Sequence, residues 1–189
     1  MSRYFYRLFI CIVFPLSFNF STFGGETKAL FLIPVEEIRL GFMKNDVRGY
    51  RGHHHHEQGY NGNIEILFLS LQGTFWNVIY NPKPHGGISV NSHGGTNHVY
   101  SGLSWTIQWM NFLIEPSFGG DLNNAKRKKS TRKRQALGYP LLFREAISIG
   151  YILSPQWAGY ITLDHISNAR LTHPNPGITT LGVRMGYRL

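Results

Sequence analysis

Apolar side chains recur at every second position in short runs separated by turn residues, and this alternation confines the chain to β-structure with one apolar face. Ile38, Leu40 and Phe42 alternate with Glu37, Arg39 and Gly41, and Ile64, Ile66 and Phe68 with Asn63, Glu65 and Leu67. A weaker run surrounds Ile88. Leu103, Trp105, Ile107 and Trp109 then alternate with Gly102, Ser104, Thr106 and Gln108, and Phe112, Ile114 and Phe118 follow with Leu113, Glu115 and Ser117 between them. Two stronger runs cover Leu141–Tyr151 and Trp157–Ser167, and the last covers Thr179–Leu189. The expectation is eight strands.

Eight antiparallel strands with one apolar face suit a soluble barrel, a sandwich or a small membrane barrel, and the opposite face chooses between them. That face carries Gly, Ser, Thr, Gln, Arg and Glu, while Trp105, Trp109, Trp157 and Tyr187 stud the apolar face near strand ends. A polar inside with an apolar, aromatic-girdled outside is the membrane-barrel inversion. The expected fold is therefore all-β, an eight-stranded antiparallel transmembrane β-barrel. The composition, 42% hydrophobic and 15% charged with 21 glycines, excludes a disordered chain or a coiled coil. Connection lengths agree. With both chain termini periplasmic, Met110-Asn111 and Ser154-Pro155 fall at tight periplasmic connections, and Asn45–Tyr60, Lys126–Arg134 and Asn168–Ile178 at longer external ones. Only Gln72–Lys83 is longer than its periplasmic position predicts. The last strand ends on an apolar residue with Tyr187 two positions before it, as outer-membrane barrels commonly do.

Arg3 and Arg7 precede the apolar run Leu8–Phe18, which is too short to span a bilayer and has the form of a secretory signal. Residues 1–25 are expected to be this leader and 26–189 the barrel, with cleavage somewhere between about 21 and 31 because no A-x-A triplet follows. The single Cys11 lies in the leader, so no internal disulfide forms. The formal charge of +9 is local: seven bases fall within Lys126–Arg134, and apart from these and the two leader arginines, bases and acids balance.

Chemistry concentrates in Leu163-Asp164-His165-Ile166-Ser167-Asn168-Ala169. His165 and Ser167 are two apart on a strand and share a face with Leu163, Ile161 and Trp157, the lipid-facing one. Unsatisfied polar groups are costly in lipid, so this pair is either functional or sits where the strand has already left the membrane. The run His165-Ile166-Ser167-Asn168-Ala169, with Pro174-Asn175-Pro176-Gly177-Ile178 and Leu181-Gly182-Val183-Arg184, resembles the signature of the lipid A 3-O-deacylase (PagL) family. The likeness extends upstream through Glu37–Gly41, His85–Gly87, Tyr100–Leu103 and Leu142–Glu145.

The resemblance implies an outer-membrane esterase that removes the ester-linked 3-O-acyl chain of lipid A. Ser167 would be the nucleophile, His165 the general base, and Asn168 and Asn175 candidates for holding the oxyanion. The substrate, itself a membrane lipid, would lie along the outer wall. One position departs: the family's triad acid falls on Thr179, which cannot carry charge. Asp164 points to the other face. Glu145 interrupts an apolar face, and folding the two strands about Ser154 puts it roughly opposite Leu163, diagonal to His165, as a substitute acid. The bland alternative pairs Glu145 with Arg144 or a loop base.

On an external loop the Lys126–Arg134 run would face lipopolysaccharide phosphates or simply be solvated; an exported barrel meets no nucleic acid. The run His53–His56 has no matching carboxylate or cysteine set, so no metal site is expected, and Ser–His ester hydrolysis requires no cofactor. Expected partners are lipid A or lipopolysaccharide and outer-membrane lipids, with the association state open, a homodimer included. Two other readings stand beside the deacylase: a catalytically silent structural or adhesion barrel, and an esterase acting on glycerophospholipids.

Overall fold

The computed structural model describes residues 34–47, 57–131 and 133–189. The expected leader, Cys11, the His53–His56 run and Arg132 lie outside the described residues. Nine hydrogen-bonded segments follow in chain order: β1 Val35–Lys44, β2 Tyr60–Phe68, β3 Lys83–Asn91, β4 His98–Ser104, β5 Ile107–Trp109, β6 Phe112–Asn123, β7 Leu141–Ile152, β8 Trp157–Ser167 and β9 Ile178–Arg188. Consecutive strands pair antiparallel except β4 and β5, and β1 pairs with β9, which closes the sheet. β4 and β5 both pair with β6 in one continuous register, from Ser104↔Ser117 to Ile107↔Ile114, so they are two halves of a single stave. The stave is interrupted at Pro116, whose carbonyl accepts from Trp105 N–H at 3.0 Å but which has no N–H to return. The result is the closed eight-stranded barrel that the alternation predicts.

The alternation sorts as expected. Leu40, Phe42, Ile64, Val99, Ile114, Ile149, Ile161 and Val183 are exposed on the outer wall. Aromatic residues crowd one end, where Trp109 stacks on Phe112, Phe112 meets Tyr151, and Trp157 meets Tyr187. Among the described residues no helix is long and apolar enough to cross a membrane. Three of the connections at this end are 69–82, 110–111 and 153–156; the first is longer because it folds the short helix α1, Thr74–Val78, and Trp105 Nε1 donates to the Ile79 carbonyl just beyond it at 2.7 Å. The fourth stave begins at His98, five residues before its legible part, because its first inward residues are His98 and Tyr100, and the outward Ser101 blunts the contrast.

The interior is packed with charge. Arg39 forks onto Glu115 at 2.5 and 3.0 Å and onto Glu37 at 3.1 Å twice. Arg144 bonds Asp164 at 2.5 and 2.8 Å, and Arg184 bonds Glu65 at 2.9 Å. The Arg144 guanidinium lies 3.8 Å over the Tyr100 ring and that of Arg39 4.1 Å over Tyr160. Bidentate geometry and ring stacking are what make arginine, rather than lysine, suited to a desolvated lumen. Room comes from glycine: a Cβ on Gly87 would overlap the Tyr100 ring. Side chains thus fill the eight-stranded lumen.

Candidate active site

β8 and β9 carry His165, Ser167 and Thr179 on the outer wall, at the end bearing the 45–59, 92–97, 124–140 and 168–177 connections. All three are partly buried. His165 sits directly opposite Thr179 in the β8–β9 ladder, and its Nδ1 is 2.8 Å from Thr179 Oγ1. Thr179 therefore holds the imidazole through its hydroxyl. Gly177, in the left-handed region at φ +63°, passes against the other edge of the ring: a Cβ there would lie 2.8 Å from His165 Cε1 and 3.1 Å from Nε2. Sequence reasoning missed Gly177 as a site residue, although the Pro176-Gly177 pair is a turn signal.

Glu145 corrects the expected register. It stands directly opposite His165, and Ile147, not Glu145, faces Leu163. The reversal between β7 and β8 is centred on Pro155, at the second position of a turn closed by Trp157 N–H to the Ser154 carbonyl at 3.3 Å, rather than on Ser154. Moving the centre by one residue moves every pair by two. Directly opposed residues have Cβ atoms about 4.5–5.5 Å apart, nearer than the diagonal placement gave. Glu145 is exposed, and its neighbour Arg144 points inward to Asp164, so Arg144 does not pair with it. Asp164 faces the lumen, as the alternation predicts.

Asn168 is used otherwise than its candidacy as an oxyanion donor assumed. Its Nδ2 faces the carbonyls of Leu137 at 2.9 Å, Thr172 at 3.1 Å and Pro174 at 3.2 Å, and Thr172 Oγ1 at 2.9 Å. Its backbone N–H donates to Asn175 Oδ1 at 3.0 Å. Both donors of Asn168 thus tie the 168–177 loop together. After it, Ala169 and Arg170 take positive φ of 51° and 64°, and Leu171 N–H returns to the Asn168 carbonyl at 2.9 Å. Two consecutive left-handed non-glycine residues cost about 1–2 kcal/mol each, strain stored beside Ser167. The Ala169 N–H points toward Ser167 Oγ at 3.5 Å, too far for a strong bond.

Apolar surface borders Ser167. Phe143 faces Ser167 across the ladder and stacks on Phe118. A shallow depression of about 230 Å³ beside Asn168 is lined by Tyr139, Leu141, Phe143, Leu171 and Thr172. Further down the same wall a groove of about 370 Å³ runs over Gly150 and Gly159 between Ile149, Tyr151, Ile161, Val183 and Met185. Ile161 is six residues from Ser167, about 20 Å along the strand. Among the described residues no group of three or more His, Cys, Asp or Glu side chains is arranged to hold a metal.

A closed antiparallel barrel with a charged lumen and an apolar outer wall defines the class: a small β-barrel of the outer-membrane type. Its fold is similar to the crystal structure of the outer membrane enzyme PagL, with a TM-score of 0.60 and 15% identity over 81% of this chain and 99% of that one. It is also similar to a de novo designed transmembrane β-barrel, with a TM-score of 0.50 and 10% identity over 82% of this chain and 97% of that one. No curated protein sequence matches the chain significantly. The model of the lipid A 3-O-deacylase (PagL) family matches residues 48–188, and the chain belongs to that family.

Proposed function

We propose that the protein is an outer-membrane serine esterase that hydrolyses the 3-O-acyl ester of lipid A, with its site at the outer leaflet. One observation carries the reading: on a mostly apolar wall, His165 and Ser167 share the outward face and His165 Nδ1 is engaged by Thr179. A Thr179 oxygen that accepts from Nδ1–H leaves Nε2 unprotonated and able to take a proton. Ser167 Oγ attacks the ester carbonyl carbon as His165 takes its proton. The bond to the sugar 3-oxygen breaks, that oxygen takes the proton from the imidazolium, and water then releases the fatty acid from Ser167 by the same exchange. The Asn175 side-chain amide and the Ala169 N–H are the donors assigned to the oxyanion, each worth about 2.7–4 kcal/mol in a well-aligned site. Thr179 orients the imidazole but carries no charge, and Glu145, on β7 directly opposite His165, supplies the negative field. The acyl chain lies along the apolar wall of β7–β9, so the substrate need not leave the bilayer.

The test is mass spectrometry of lipid A from outer membranes carrying the protein, its Ser167→Ala form or its Glu145→Gln form. Loss of one 3-position hydroxyacyl chain with the intact protein, none with Ser167→Ala and a reduced loss with Glu145→Gln is the expected pattern. Full activity of Glu145→Gln removes that residue from the mechanism. No loss from any form, with the barrel folded by heat-shifted gel mobility, refutes lipid A deacylation. It supports instead a silent barrel, which the threonine at the acid position favours, or a glycerophospholipid ester as substrate.

A further inference from the structure

The β6–β7 connection carries the chain's charge excess, and its placement is specific. Lys126, Arg127, Lys128 and Lys129 are consecutive and exposed, as is Lys133. Among the described residues no carboxylate forms an ion pair with any of them. Arg134 behaves differently: half-buried, it donates to the Gly94 and Gly95 carbonyls at 3.1 Å each and pins the loop to the 92–97 connection. The loop has a closed neck, with Lys126 N–H to the Gln135 carbonyl at 2.9 Å and Leu137 N–H to the Lys126 carbonyl at 2.8 Å. Thr131 and Arg134 close its tip with a backbone bond of 2.8 Å.

The stem below that neck is built into the site. Gln135, Ala136 and Leu137 are buried, and Leu137 packs with Leu142, Ile166 and Ile178. Ile166 lies between His165 and Ser167, and Ile178 between Gly177 and Thr179. The Leu137 carbonyl accepts from Asn168, the residue after Ser167. Gly138, at φ +79°, allows the closest approach: a Cβ there would lie 2.6 Å from Thr172 Oγ1 and 2.8 Å from Asn168 Nδ2. A solvated charge run needs no such root. Through Leu137, which bonds both the Lys126 carbonyl and Asn168, the exposed cations of Lys126–Lys129 are tethered beside the loop that follows Ser167 and add a positive field to that end of the barrel.

We propose that Lys126–Lys129 form a docking surface for the phosphate groups of the substrate's own headgroup, which sets the scissile ester over Ser167. The proposal rests on the deacylase reading and adds to it a specificity element: the loop reads the phosphorylated sugar, and the β7–β9 wall reads the acyl chain. Charge complementarity favours this occupant, since a phosphorylated glycolipid presents dianionic groups at the depth where a barrel loop leaves the bilayer.

The test uses the full chain refolded into zwitterionic vesicles containing phosphorylated or enzymatically dephosphorylated lipid A, with release of the 3-position hydroxyacyl chain followed by mass spectrometry. Wild type is expected to prefer the phosphorylated substrate by on the order of tenfold or more in kcat/KM, through KM. A variant with Lys126, Arg127, Lys128 and Lys129 all changed to Gln is expected to lose most of that preference. The wild-type preference should also shrink between low salt and about 0.5 M salt, where the screening length falls well below the roughly 10 Å of 0.1 M. An unchanged preference in the variant overturns the proposal, as does an equal loss on both substrates, which indicates a structural role. Added phosphatidylglycerol that competes as well per phosphate as lipid A also overturns it, in favour of a general anionic-lipid contact. If wild type cleaves neither substrate, co-sedimentation of soluble phosphorylated lipid A fragments with vesicles carrying Ser167→Ala, compared with Ser167→Ala bearing the four Gln changes, still decides. Weaker retention by the latter supports the docking surface while the deacylase reading falls.

Discussion

Replacing Gly177 by alanine tests whether the imidazole of His165 is held as tightly as its surroundings imply. The residue has φ +63°, where an L side chain costs about 1–2 kcal/mol. Its new Cβ would stand 2.8 Å from His165 Cε1, 3.0 Å from the Ile166 carbonyl oxygen and 3.1 Å from His165 Nε2. Carbon atoms rest at about 3.5–4.0 Å, so the ring must retreat by about 0.7 Å or more. The Ile166 carbonyl belongs to β8 and cannot yield. Retreat strains the 2.8 Å bond from Nδ1 to Thr179 and moves Nε2 relative to Ser167. A misplacement of about 1 Å at reacting atoms costs on the order of 100-fold. Gly177→Ala should therefore lower kcat for deacylation by about 30–100-fold while the barrel, destabilised by about 1–3 kcal/mol, still folds. Gly62→Ala is the control, because a Cβ there meets nothing within 4 Å. Folded protein would be verified by heat-shifted mobility and urea titration in vesicles, and the rate read at saturating lipid A. A Gly177→Ala enzyme that is folded and within about threefold of wild type would refute the confinement of His165 between Gly177 and Thr179.

Two further outcomes follow from the same geometry. Thr179→Val keeps the shape but removes the Nδ1 partner and should slow deacylation by about tenfold or more; Thr179→Ser should retain activity, and Thr179→Glu, which places a carboxylate against the imidazole, should exceed wild type. Equal rates for Val and Thr at this position would show that the hydroxyl does not orient the ring. Glu65→Gln removes the charge that meets Arg39 at 3.3 Å, Arg144 at 3.5 Å and Arg184 at 2.9 Å, and should destabilise the barrel by about 3–5 kcal/mol in urea titration, with Ser167→Ala as the unshifted reference. An unshifted midpoint for Glu65→Gln would mean that the lumen is wetter than its burial indicates.

The strands were legible because lipid on one side and charge on the other force the sharpest possible alternation, and because Trp109, Trp157 and Tyr187 mark where it meets the interface. Pairing was less legible, since it depends on where a turn is centred; Pro155 moved Glu145 from diagonal to direct opposition with His165. The lumen partnerships were illegible in detail, because Arg39 and Glu115 lie 76 residues apart and meet only on closure. At the candidate site, the shared outward face of His165 and Ser167 could be read from their spacing. The roles of Gly177 and Asn168 could not, since each depends on what a loop packs against rather than on its own chemistry.

The distribution of Arg39's partners has a consequence for how the molecule comes to exist. Glu37 lies on the same strand, Glu65 on the next and Glu115 four staves further round by chain order. A growing sheet that had inserted only its first two strands would carry a guanidinium with part of its carboxylates and no wall between it and hydrocarbon. Insertion strand by strand would therefore climb an electrostatic hill that only the later strands level. Assembly is expected to be concerted, with closure of β1 onto β9 and engagement of Glu115 occurring together, and slow in proportion to the long sequence separations that must be bridged. The lumen acts as a latch that releases only when the whole ring is present, which makes a half-built barrel a short-lived species in the membrane.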